Sequence, residues 1–169
     1  MGKEINLLEF YPVSNRPIDE RGDQVTETDR AIARKFDIEY FDGDRLTGYG
    51  GYSYHSRFWT ETVKYIADFY KLGSNSKILD IGCAKGFMMH DLSLILPDAE
   101  IKGIDISFYA KENSIDSMRD NIDVGNANNL PYEDNYFDLV IAINTLHNLP
   151  LIDCKQAFRE INRVSSRDS

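Results

Sequence analysis

Apolar positions recur along this chain with two different periods. Between residues 58 and 72, Trp59, Val63, Ile66, Ala67 and Tyr70 fall at i, i+4, i+7, i+8 and i+11. Glu61, Lys64, Asp68 and Lys71 take the opposite face. This spacing predicts an amphipathic helix, with Gly73 as its C-terminal glycine. Downstream, short apolar runs alternate with helical ones. KILDI (77–81), IKGIDI (101–106), a segment within NIDVGNA (121–127) and FDLVIAI (137–143) read as strands, the last being the most apolar. FMMHDLSLIL (87–96), stopped by Pro97, FYAKENSIDSM (108–118), and CKQAFREINRV (154–164), capped by Asp153, read as helices. Strands alternating with helices predict an α/β fold with a parallel sheet covered on both faces. Ligands of such sheets bind at the carboxyl ends of the strands. Chemistry is therefore expected just after residues 81, 106, 125 and 143.

Ahead of the amphipathic helix the pattern fades. Residues 1–26 are polar and broken by Pro12, Pro17 and Gly22, which predicts an irregular arm. Residues 28–36 predict a short helix with Ala33 and Phe36 inward and Thr28 as its cap. Between 40 and 54, Gly48, Gly50 and Gly51 are interleaved with Tyr40, Tyr49, Tyr52 and Tyr54. Hinge glycines among aromatic rings suit a lid; the plainer alternative is that these rings cover the sheet.

The first strand runs into Asp80-Ile81-Gly82-Cys83-Ala84-Lys85-Gly86. Small residues at 82, 84 and 86 let the backbone turn sharply and approach a ligand closely. A dinucleotide fingerprint starting at Gly82 would put its later glycines at Ala84 and Phe87, so it fails. A phosphate-binding P-loop fails as well, because Lys85 precedes Gly86 and neither Ser nor Thr follows. Asp105, at the tip of the second strand, is placed to accept both hydroxyls of a ribose, or else to cap the next helix.

At these residues the chain resembles the class I S-adenosylmethionine-dependent methyltransferases, and within them the small-molecule branch. The resemblance rests on ILDIGCAKG (78–86), GIDIS (103–107), VGNANNLPYEDNYFDLVIAINTLHNL (124–149) and FREINRV (158–164), in the family's order. It implies a Rossmann-like, mostly parallel sheet flanked by helices, lacking the last strands of the usual seven. It further implies an N-terminal arm and short helix over 1–47 and a truncated cofactor-binding domain over 48–169. The implied cofactor is S-adenosyl-L-methionine and the implied reaction is methyl transfer to a small-molecule or sugar acceptor. In that reading Asp80 and the turn residues Gly82, Cys83, Ala84 and Gly86 hold the methionine end. Asp105 holds the ribose, Ile106 packs on adenine, and Asn126 and Ala127 meet the adenine edge. Asn144 closes the methionine side through its backbone. Tyr49, Tyr52, Tyr54 and Arg57 are lid contacts, and His147 is the candidate general base. His55 is a weaker candidate, and His90 is structural.

Three departures from the family pattern stand out. Ala84 occupies a position where glycine is commonest, a mild change for a negative φ. Asn126 replaces the usual Asp and can still bond to adenine. The chain stops with SSRDS where the family continues, so the alternative is a truncated or non-catalytic protein that binds the cofactor or a partner. The apolar fourth strand would then be an edge, expected to be covered by a second copy, a partner chain or the N-terminal segment.

Charge and composition narrow the partners. The 169 residues carry a net charge of -9, which disfavours anionic nucleic acid and membrane surfaces. No segment approaches the roughly 20 apolar residues that span a bilayer, and the N-terminus lacks the apolar core of a secretion signal. Cys83 and Cys154 read as reduced thiols rather than a disulfide framework, which points to the cytoplasm. No metal site is expected.

Overall fold

A computed structural model describes residues 4–13 and 22–166. The elements relevant here are α1 (Glu27–Ala33), α2 (Ile38–Phe41), α3 (Ser56–Tyr70), β1 (Lys77–Ile81), α4 (Phe87–Ile95), β2 (Glu100–Asp105), α5 (Phe108–Glu112), β3 (Ile122–Val124), β4 (Leu139–Ile141) and α6 (Leu151–Val164). The four strands form one sheet in the order β3-β2-β1-β4, and every pairing is parallel. The α/β expectation is thus met, with β1 and β2 at the centre.

Alternation along β1 sends Ile78 to one face and Leu79 and Ile81 to the other. On the first face Ile78, Ile101, Ile122 and Ile141 pack with Val63 and Ile66 of α3 and with Met88, Met89 and Leu92 of α4. On the second face Leu79, Ile81, Ile104 and Phe137 pack with Ala157 and Val164 of α6. The described part of the arm is attached to the first layer: Leu7 packs on its core, and Tyr11 rests on Phe58 and Trp59 at 5.6 and 4.9 Å between ring centroids.

Several helix ends differ from the sequence expectation. The cap of α1 is Thr26, not Thr28, because Asp29 at the third helical position completes a reciprocal capping box with Thr26. The left-handed residue ending α3 is Lys71 (φ 54), so Gly73 comes too late to cap it. At α6, Pro150 precedes the first helical residue; Asp153 lies inside the first turn, and its carboxylate accepts from Asn128 Nδ2 at 3.0 Å. The helix expected over 108–118 ends at Glu112, since Asn113 and Ser114 bond back to the carbonyls of Tyr109 and Lys111 and close the turn.

β4 is shorter than the apolar run 137–143. Phe137 leaves the β1 ladder and forms a parallel bridge with Ser165, where the chain returns from α6. The Phe137 N–H donates to Val164 O at 2.9 Å, and the Ser166 N–H donates to Phe137 O at 2.7 Å. Among the described residues no strand pairs with the outer edge of β4 beyond this bridge.

Candidate functional site

The turn after β1 is shaped by backbone geometry. Gly82 has φ +76, and a Cβ there would stand 2.1 Å from Thr145 Oγ1. Thr145 is fixed in turn by donating to Ile81 O at 2.9 Å. Only glycine meets both demands at position 82. Ala84 has φ 50, not the negative value expected of it. The left-handed region costs a residue with a Cβ about 1–2 kcal/mol. Tertiary contact maintains it here: the Ala84 N–H donates to Asp105 Oδ2 at 2.8 Å. Gly86, with φ 74, precedes the first residue of α4.

Two carboxyl groups stand at the ends of neighbouring strands on the same cavity wall. Asp105 accepts from the N–H groups of Ala84 and Ser107, each at 2.8 Å. Burial raises its pKa and these bonds oppose the rise. Asp80 is buried and accepts no hydrogen bond from any described residue. Its pKa is pushed up to about 8, chiefly by burial and secondly by the charge of Asp105. The Cys83 thiol is driven well above its ordinary value by burial and by both carboxylates, so it stays protonated and serves the turn's shape.

A cavity of about 250 Å³ opens between these strand ends and the N-terminal third of the chain. It brings together most of the residues singled out from sequence: Asp80, Gly82, Cys83, Ala84, Asp105, Ile106, Asn126, Ala127, Asn144, Tyr49 and Tyr52. Ile106 is 53% exposed, an apolar surface presented at the tip of β2. Asn144 has φ 54 and is an exposed residue of the cavity wall.

Five of the candidate site residues are not on the cavity wall, one of them His55, which immediately precedes α3. Gly86 lies behind the turn. Tyr54 bonds through its hydroxyl to Asp91 of α4, which also accepts from Thr60 at 2.9 Å. Arg57 lies over the Phe58 ring at 4.7 Å. His147 sits exposed on the 3-10 helix Leu146–Asn148, whose contributions to the wall are Asn148 and the following Leu149.

Sequence reasoning missed other parts of the wall. Leu8 and Tyr11 line the cavity from a segment without a periodic signal, Phe36 was legible only as an inward residue of a helix over 28–36 that in fact ends at Ala33, and Trp59 only as a core position of α3. It also missed Lys85. This side chain is 8% exposed, and its Nζ donates to Asp42 Oδ2 at 2.6 Å and to Tyr52 O at 2.9 Å. Asp42 also accepts from the Tyr52 N–H at 2.9 Å and the Tyr109 hydroxyl at 2.7 Å. Desolvation works against its charge, yet these three donors and the charge of Lys85 hold its carboxyl below the usual range. The turn at 82–86 and the segment 42–52 are thus fastened together across the cavity.

Comparison with known proteins places this geometry. A family model described as "Methyltransferase domain" matches residues 79–169, more than half of the chain. Malonyl-[acyl-carrier protein] O-methyltransferases from Legionella pneumophila and Geobacter sulfurreducens are 33% identical over 92 residues and 32% identical over 97. Those matches take in 52% and 55% of this chain but 32% and 36% of the relatives, so the chain matches about a third of their length. A SAM-dependent methyltransferase from Aquifex aeolicus shares the fold with a TM-score of 0.52 at 17% identity, over 90% of this chain and 69% of that one.

Proposed function

The chain belongs to the class I S-adenosylmethionine-dependent methyltransferases, and from that premise we propose that it moves a methyl group from this cofactor to a small-molecule or sugar acceptor. The observation that carries the proposal is Asp80, a buried carboxylate facing the cavity with no hydrogen bond from the chain, beside a turn that only small residues can form. Such a group calls for a donor or cation from a ligand, and the cofactor offers both an ammonium and a sulfonium.

The remaining residues fit the same group. Each oxygen of Asp105 already accepts one N–H and retains a lone pair for a ribose hydroxyl. Ile106 offers a flat apolar surface for a ring, and Asn126 offers both a donor and an acceptor nearby. When bound, the cofactor supplies an activated methyl group. The chain positions it and excludes water: the turn fixes one end, Asp105 the middle, and the aromatic wall from 36–52 closes the cavity beside the reacting group. Two unpaired cysteines and the negative charge suit a cytoplasmic location without a nucleic-acid partner.

The exposed position of His147 favours a second reading, cofactor binding without turnover, because the described cavity wall contains no histidine to take a proton. Calorimetry with S-adenosylhomocysteine tests the shared premise. Saturable binding is expected, weakened at least about tenfold in Asp105→Ala; a folded protein that takes up none refutes both readings. Methyl transfer to any member of an acceptor panel then separates the first from the second.

A further inference from the structure

We infer that the acceptor is an uncharged, flat, apolar molecule, stacked against the wall formed by Tyr11, Phe36, Tyr40, Tyr49 and Trp59, and that a free carboxylate is excluded. The inference rests on the methyl-transfer reading of this cavity and narrows it to a substrate class. It contrasts with the curated relatives, which are named for a malonyl substrate and hence for a free carboxylate.

The wall is built before any ligand arrives. Tyr40 packs edge-on against Phe36 at 5.0 Å and against Tyr49 at 5.3 Å. Tyr49 lies 4.3 Å from Tyr52. Tyr52 is held at both its N–H and its carbonyl by Asp42 and Lys85. Tyr11 leans on Trp59 from the arm. Rings fixed in this way present faces and edges suited to another planar apolar body.

Charge argues in the same direction. The described cavity wall carries two carboxyl groups, Asp80 and Asp105, and no lysine, arginine or histidine. Burial also pushes the phenols of Tyr11 and Tyr49 upward, so they add no ionic contact at neutral pH. The neighbouring cations are already engaged: Lys85 with Asp42, Arg45 with the carbonyls of Gly48 and Tyr49, and Arg57 over the Phe58 ring. A carboxylate entering here would need a cation that the described wall lacks. A neutral hydroxyl would not. Its methylation forms an O–CH3 bond as the S–CH3 bond breaks, and the hydroxyl proton leaves through the mouth between the exposed Asn144 and Asn148 to solvent water.

The experiment is calorimetric titration of the full 169-residue chain, saturated with S-adenosylhomocysteine at pH 7, with 2-naphthol and separately with 2-naphthoate. The two probes share a ring system and differ in charge. Naphthol is expected to bind at least about tenfold more tightly than naphthoate. Tyr11→Ala should weaken naphthol, and Asn148→Lys, which adds a cation at the rim, should narrow the gap. Tyr11 lies outside the buried core, so its truncation leaves the sheet intact. Naphthoate binding as tightly as naphthol overturns the inference. So does failure of both probes on protein that still takes up S-adenosylhomocysteine. Lack of S-adenosylhomocysteine binding refutes instead the methyl-transfer reading, and the same two titrations on the free protein still read the charge preference of the cavity.

Discussion

Asp80 concentrates the site's electrostatics in one side chain. In the unfolded chain it titrates near 3.8, and in the fold near 8. The folded protein therefore holds a proton that the unfolded chain has lost. The associated stability is fully present below about pH 4 and is lost as pH rises through 8. Asp105, also raised, acts in the same sense. The melting temperature of the free protein is thus expected to fall between pH 5 and 8.5, and Asp80→Asn should flatten that slope. A cationic ligand prefers the carboxylate form, so binding at pH 7 should release a proton. Calorimetry in two buffers of different ionisation enthalpy checks this; equal heats in both would refute it. The position of both acids was legible in the sequence, because each stands at the carboxyl end of an apolar run that reads as a strand. The positive φ of Ala84 was not legible, since nothing local dictates it. A long-range hydrogen bond to Asp105 holds it there.

At the scale of elements, the decisive join is between the turn after β1 and the segment following α2. Lys85 couples them through a nearly buried ion pair with Asp42. Lys85→Met removes the donor to the Tyr52 carbonyl and the one cation among the three donors to Asp42. It is expected to destabilise the fold by about 1–3 kcal/mol in urea denaturation and to weaken S-adenosylhomocysteine binding several-fold. Combined with Asp42→Asn, the loss should be less than additive; strict additivity would show that the pair does not couple the two segments. This join escaped the sequence because its partners are 43 residues apart and Lys85 drew notice only as a misplaced phosphate-loop lysine. The strand-helix alternation, by contrast, was visible because each buried face imposes its own period. Helix ends were read less well: Thr26 competes with Thr28 as the cap, and only the reciprocal bond from Asp29 decides between them.

Taken as a whole, the molecule is a sheet with a rigid middle and a cover attached mainly around the cavity. β1 has a strand on either side, whereas the cover reaches the body through Lys85, Asp91 and the rings of 36–52. Hydrogen exchange should therefore be slowest in β1 and β2 and faster over 37–54. S-adenosylhomocysteine should slow exchange over 37–54 more than at β3; uniform protection, or none, would refute the cover's role. The apolar fourth strand, expected from sequence to need covering, has buried side chains at Leu139 and Ile141, while its outer backbone edge is met only at Phe137 among the described residues.

The cavity wall runs from Leu8 to Leu149. During synthesis the aromatic cover leaves the ribosome first and has no sheet to rest on. At about 5–20 residues per second, seconds pass before the last part of the wall emerges. Over that interval Tyr11, Phe36, Tyr40 and Trp59 form an exposed apolar surface, a natural target for a nascent-chain chaperone.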